Sequence, residues 1–211
     1  MTIFEQFAEA FDQLDKEACI QITFDALSVG EIGIVDLYEG VLRRSLVNLT
    51  DKEVDPQHKI WKEHIQSSIV RTVLEMAFPF VIKQRQTHVK GKAAIVCPDQ
   101  EQHELGARMV SDYMSLLGYQ TLFVGRNTPK EEFNDMISTL SLDVVALSVT
   151  NYYNLSSAIK TVEMIRAKFP QIKIIVGGLA IQNNPQSLAN LNVEITRNYS
   201  ELQRALVGGA L

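Results

Sequence analysis

The sequence predicts an α/β protein in two parts. An N-terminal four-helix bundle is followed by a flavodoxin-like, doubly wound sheet of five parallel strands in the order 2-1-3-4-5. Three observations carry this. Apolar residues recur at helical spacing from residue 2 to about residue 83. Beyond a polar stretch at 84–92 the period changes, and short β-rich runs alternate with helical ones. Strands separated by helices run parallel and are covered on both faces, and the short spacing favours the flavodoxin-like order. The domains are therefore expected at 1–84, the helical bundle, and 91–211, the sheet domain.

The elements follow in order. Residues 2–15 place Ile3, Phe4, Phe7, Ala8, Phe11 and Leu14 at helical spacing, and 17–28 repeat the pattern with Ala18, Ile20, Ile22, Phe24 and Leu27. Gly30 and Gly33 punctuate the chain before a third helix at 34–49. A polar loop at 50–56 ends in Pro56, and a long helix follows to about Lys83, with Pro79 as the place for a kink. Four helices with short connections make a bundle. The expected strands are 92–97, 119–124, 143–149, 172–176 and 193–196. The helices between and after them fall near 104–117, 129–141, 155–168, 185–190 and 199–207.

Bulk composition narrows the function classes. The 211 residues are long enough for one large domain or two small ones, and 46% hydrophobic with 21% charged residues is an ordinary globular balance. A net charge of −5 argues against direct binding to nucleic acid or an anionic membrane. Two cysteines, Cys19 and Cys97, do not make a disulfide framework, and both sit in apolar runs that bury a thiol. The start has no basic n-region, and no stretch reaches the ~18 apolar residues of a membrane span, so a cytoplasmic location and no membrane contact are expected.

In such a sheet, ligands bind beyond the carboxyl ends of the strands. Strand 1 leads into Asp99, Glu101, His103 and Glu104; strand 3 ends near Ser148 and Thr150; strand 4 ends at Gly177 and Gly178. His103 is a candidate metal ligand, since a neutral imidazole offers one nitrogen to a metal while a carboxylate holds the other, and Glu101 is placed for that second role. Ser148 and Thr150, two residues apart on one strand, share a face and could hydrogen-bond a ligand. They are also ordinary strand residues. Paired glycines let a bulky group approach the backbone, or simply make a turn. No nucleophile–base pair suggests catalysis by the chain alone.

These residues resemble cobalamin-binding proteins of the methionine-synthase type. That family's signature reads here as Glu101-x-His103-x-x-Gly106, Ser148-x-Thr150 and Gly177-Gly178. The resemblance covers nearly the whole chain and implies a helical bundle ahead of a flavodoxin-like domain. It implies cobalamin (adenosyl-, methyl- or another corrinoid) as cofactor, with His103 replacing the cofactor's own base below cobalt. The detached nucleotide tail would lie by the serine and the glycine pair. Glutamate in place of aspartate at position 101 resembles the light-sensing, adenosylcobalamin-dependent regulators. Those also carry, above the corrin, a tryptophan, nine residues, then Glu-His. Glu63-His64 matches, but the matching tryptophan position is Glu53, and the only tryptophan is Trp61. Trp61 is as well explained by the bundle core as by a cap over the ligand, and Glu63 and His64 by a solvated helix face.

The first expectation is therefore a cobalamin-binding sensor, responsive to light or ligand, that signals to a protein partner such as a transcription regulator. The alternative is a corrinoid methyl carrier serving a methyltransferase, in which aspartate at the first motif position is usual. A flavodoxin-like domain without cobalamin is the third reading. Self-association into a homo-oligomer is compatible with each.

Overall fold

The computed structural model describes residues 1–50 and 59–207. Of the loop expected at 50–56, Thr50 is helical; the rest of that loop and the helix start at Pro56 lie outside the described residues. Contacts divide the chain into two compact units, Met1–Gln84 and Arg85–Leu211.

The first unit is helical. Helix α1 (Ile3–Asp12) begins in a capping box: Glu5 N donates to Thr2 Oγ1, and Thr2 N donates to the Glu5 carboxylate. It stops short of the expected residue 15, because Leu14 turns to φ 60° and Asp15 caps the next helix by accepting from Ala18 N. Helix α2 (Lys16–Ser28) follows. The expected third helix is composite: α3 (Ile34–Asp36), a π-helical segment (Leu37–Arg43) and α4 (Arg44–Thr50). Apolar periodicity does not distinguish a π from an α segment, since Leu37, Tyr38, Val41 and Leu42 are buried in either.

Helix α5 (Ile60–Gln84) runs through Pro79. By length and composition it is the one described helix able to cross a membrane, against the expectation that no stretch approached this. Its burial is that of a core helix. Gln66, Ile69, Val70, Val73, Leu74, Ala77 and Val81 recur every three to four residues as one buried stripe, and Arg71 and Glu75 lie within its length. Gln66 Nε2 donates to Phe11 O, satisfying the one buried amide on that stripe.

The second unit is an α/β sheet domain. Strands β1 (Gly91–Pro98), β2 (Tyr119–Thr128), β3 (Val144–Ser148), β4 (Lys173–Gly177) and β5 (Glu194–Ile195) form a parallel sheet in the order 2-1-3-4-5, as expected. The central strands β1 and β3 are almost wholly buried, which is why they read as unbroken apolar runs; the edge strands are not. Helices α6 (Leu105–Leu116), α7 (Glu132–Leu140), α8 (Leu155–Lys168) and α10 (Tyr199–Val207) connect and close the sheet.

Three local expectations need correction. β2 runs past residue 124 to Thr128, because Gly125 (φ 91°) and Asn127 (φ 55°) absorb register shifts against β1. β3 ends at Ser148, so Thr150 lies beyond the strand and does not share a strand face with it. The helix expected at 185–190 is a 3-10 helix (Pro185–Leu188). It is preceded by the unforeseen α9 (Leu179–Asn183), since Asn184 breaks from helical geometry and Pro185 restarts it.

Candidate functional site

The site forms where the sheet order reverses. β1 lies between β2 and β3, so the loops leaving the carboxyl ends of β1 and β3 become neighbours. The β1–α6 loop turns at Gln100 (φ 66°), where Glu101 N donates to Pro98 O. It is clamped to the end of β2 from both sides. Asn127 N donates to Glu101 O, and Gln100 N donates to Asn127 Oδ1.

Glu101 has no exposed surface, and its carboxylate is filled with donors. Oε1 accepts from His103 N at 3.0 Å and from His103 Nδ1 at 2.6 Å. Oε2 accepts from Thr150 N and Asn151 N, each at 2.9 Å, and from Asn154 Nδ2 at 3.2 Å. Burial alone would raise its pKa. The bonds from the His103 ring, the Asn151 and His103 backbone and the Asn154 amide outweigh that and hold the carboxyl down at about 2. An ionised carboxylate only accepts, so Nδ1 of His103 carries the hydrogen, and in the neutral ring the lone pair falls to Nε2. The His103 side chain is 53% exposed, which leaves the ring accessible for ligation. Behind it, Cys97 Sγ contacts His103 O at 3.5 Å. Burial, then Glu101 and Glu104, push that thiol up to about 12, so Cys97 is a neutral packing group.

The remaining motif residues are distributed along the same edge. Ser148 is buried and pairs in register with Gly177. Val149 N donates to Gly177 O, and Ala180 N donates to Val149 O, so the β4–α9 turn is laced to the end of β3. Gly178 (φ 99°) has a structural requirement of its own, since an added Cβ would lie 2.4 Å from Val149 O. Gly106 differs: an added Cβ there would meet nothing within 4 Å. Gly106 is exposed and the protein's own packing does not require glycine there, so a bulky group has room to approach the backbone at this turn. The donor set, the exposed imidazole and this space together fit a corrin.

The structure thus brings Glu101, His103 and Thr150 into one hydrogen-bonded cluster, with Ser148, Gly177 and Gly178 along its edge. Trp61, Glu63 and His64 form a separate group on the first turns of α5, in the helical unit. Trp61 is 55% exposed, which sets aside the reading of it as a core residue; Glu63 is half-buried and His64 exposed. Three residues escaped sequence reasoning: Asn127, Asn151 and Asn154. The available signal was polar side chains at the end of β2 and just after β3, one of them, Asn154, set against the apolar start of α8.

Comparison with known proteins identifies the family and the fold. Residues 91–202 match the B12 binding domain family. The trimethylamine corrinoid protein of Methanosarcina barkeri is 23% identical over 184 residues, covering 85% of this chain and 83% of that protein. The solved structure of the M. barkeri monomethylamine corrinoid protein superposes with a TM-score of 0.83 at 14% identity, covering 97% of both chains. The methanol:cobalamin methyltransferase complex of the same organism gives 0.52 at 15% identity, over 99% of this chain and 80% of that one.

Proposed function

The chain belongs to the B12-binding domain family and binds cobalamin, and on that premise we propose that it is a corrinoid carrier serving a separate methyltransferase, in which His103 would hold the cobalt through its ring nitrogen. The observation that carries the ligand assignment is His103 Nδ1 donating to the Glu101 carboxylate at 2.6 Å. Glu101 holds the proton on Nδ1, fixes the ring orientation and keeps the Nε2 lone pair for the metal. A bound corrinoid supplies a cobalt centre that accepts and gives up a methyl group, chemistry that protein side chains do not offer. Gly106 leaves room for it, and Ser148, Thr150, Gly177 and Gly178 line the edge where its tail would run. Trp61, Glu63 and His64 of α5 are proposed as further cofactor-binding residues. A cytoplasmic location suits the two buried, unpaired cysteines.

The methyltransferase partner is supported by the relatives, which are described as amine corrinoid proteins and a methanol:cobalamin methyltransferase complex. None of those relatives is described as a light sensor or as a partner of a transcription regulator. The sensory reading, which rested on glutamate at position 101, therefore stands behind the carrier.

The test is to load the full chain with hydroxocobalamin and record its absorbance. A base-off, histidine-ligated spectrum that His103→Ala abolishes is expected. Protein loaded instead with methylcobalamin should pass its methyl group to an added thiol acceptor only when a methyltransferase is present. Light-dependent changes in oligomer size without methyl exchange would favour the sensor instead.

A further inference from the structure

Two neighbouring tyrosines stand at the ligand edge of the sheet with their rings in solvent. Tyr152 is 63% and Tyr153 89% exposed, and their rings meet edge to face at 6.3 Å. They occupy a 3-10 helix (Tyr152–Asn154) between β3 and α8. This segment is tied down by hydrogen bonds at both ends. Asn151 Oδ1 accepts from Tyr153 N at 3.0 Å, and Asn154 N donates to Asn151 O. The two asparagines that bracket the pair both donate to Glu101 Oε2, whose partner oxygen holds the His103 ring. Beside this 3-10 helix packs α9, whose first residue, Leu179, is also half exposed.

Two ordered aromatic rings in water bury little in the fold, so packing of this chain does not account for them. Their position is set by the same carboxylate that sets the imidazole. We infer that Tyr152 and Tyr153 are positioning residues that receive the edge of the corrin macrocycle when His103 ligates its metal. This rests on the reading of His103 given above. The loop bearing the tyrosines is tied through Glu101 to the ring of that histidine, so a large flat ligand held there would extend toward it. Flat, amphipathic rings suit a large, largely apolar macrocycle rimmed by amides: the ring faces bury area, and the hydroxyls can bond an amide.

The experiment uses the full chain and hydroxocobalamin. Tetranitromethane nitration of the 152–153 peptide, read by mass spectrometry, should fall roughly ten-fold when the protein is loaded. Tyr152→Ala with Tyr153→Ala should weaken cobalamin binding by roughly ten-fold or more, the scale of two lost aromatic contacts, while the Phe pair stays close to wild type. The urea midpoint of each variant should match wild type, because the rings are exposed; if the alanine pair does not fold, the nitration result on wild-type protein decides. Equal nitration with and without cobalamin, in a protein whose spectrum still depends on His103, overturns the inference and leaves the ligand assignment standing. Normal cobalamin affinity with impaired methyltransferase-dependent transfer from protein-bound methylcobalamin to a thiol acceptor also overturns it, and assigns the pair to the protein partner. Failure of wild type to take up cobalamin, or indifference of the spectrum to His103→Ala, overturns the ligand assignment and this inference with it.

Discussion

Glu101 gathers five hydrogen bonds on a carboxylate with no exposed surface, which makes it the residue on which the site's order depends. Its folded-state pKa, about 2, lies below the ordinary 4.5. Between those values the unfolded chain binds more protons than the folded one. The stability this group contributes is therefore complete above about 4.5 and is lost as pH falls toward 2. Glu101→Gln replaces an acceptor-only group by one oxygen and an amide donor, so some of the converging N–H groups meet another N–H. A loss of about 2–4 kcal/mol is expected in urea unfolding of the unloaded protein at neutral pH, with a flatter acid limb of the stability curve. An unchanged acid limb would show that Glu101 is not held ionised. Of this cluster, Glu101 and His103 were legible in the sequence, because a His two residues from a carboxylate in a strand-to-helix loop is a local pattern. Asn151 and Asn154 were not, because their partner lies about fifty positions away and is met only across the β1–β3 pairing.

At the scale of elements, two motif glycines have opposite reasons for being glycine. Gly178 opens α9 with φ 99°, and a methyl group there would collide with the backbone of Val149. Gly178→Ala should cost about 2–4 kcal/mol in urea unfolding, combining strained φ with overpacking. Gly106 sits in the first turn of α6 with open space around it. Gly106→Ala should leave stability unchanged or raise it by up to about 1 kcal/mol, while weakening cobalamin binding measured by titration. A Gly106→Ala protein that binds cobalamin as wild type does would remove Gly106 from the site. The strands and long helices were legible from period and β-branched content. The extension of β2, the π segment in the third helix and α9 were not. Each depends on a backbone irregularity, at Gly125 and Asn127, over Leu37–Arg43, and at Gly178, that apolar spacing does not encode.

Across the whole molecule, each unit has its own core and carries one buried thiol. Cys19 lies in the helical unit and Cys97 on β1, and burial pushes both up to about 12. At pH 8 both should alkylate slowly with iodoacetamide until the unit that holds them opens, so peptide mass spectrometry reads the two units separately. Cobalamin at 100 times its dissociation constant stabilises the folded state by about 2.7 kcal/mol and should slow Cys97 alkylation accordingly. Rapid labelling of Cys97 in the folded chain would contradict its burial.

By itself the sequence determined the α/β class, the parallel order 2-1-3-4-5, the helical N-terminal part and the placement of His103 at the ligand edge. Those follow from residue period, strand composition and the rule that a doubly wound sheet opens where its order reverses. The family and its cofactor were legible for the same reason, since the motif residues fall in loops whose positions that order dictates. Only the tertiary structure decided how the site is held together. A buried carboxylate collects donors from two loops far apart in the chain, and no local pattern reports on a bond between them.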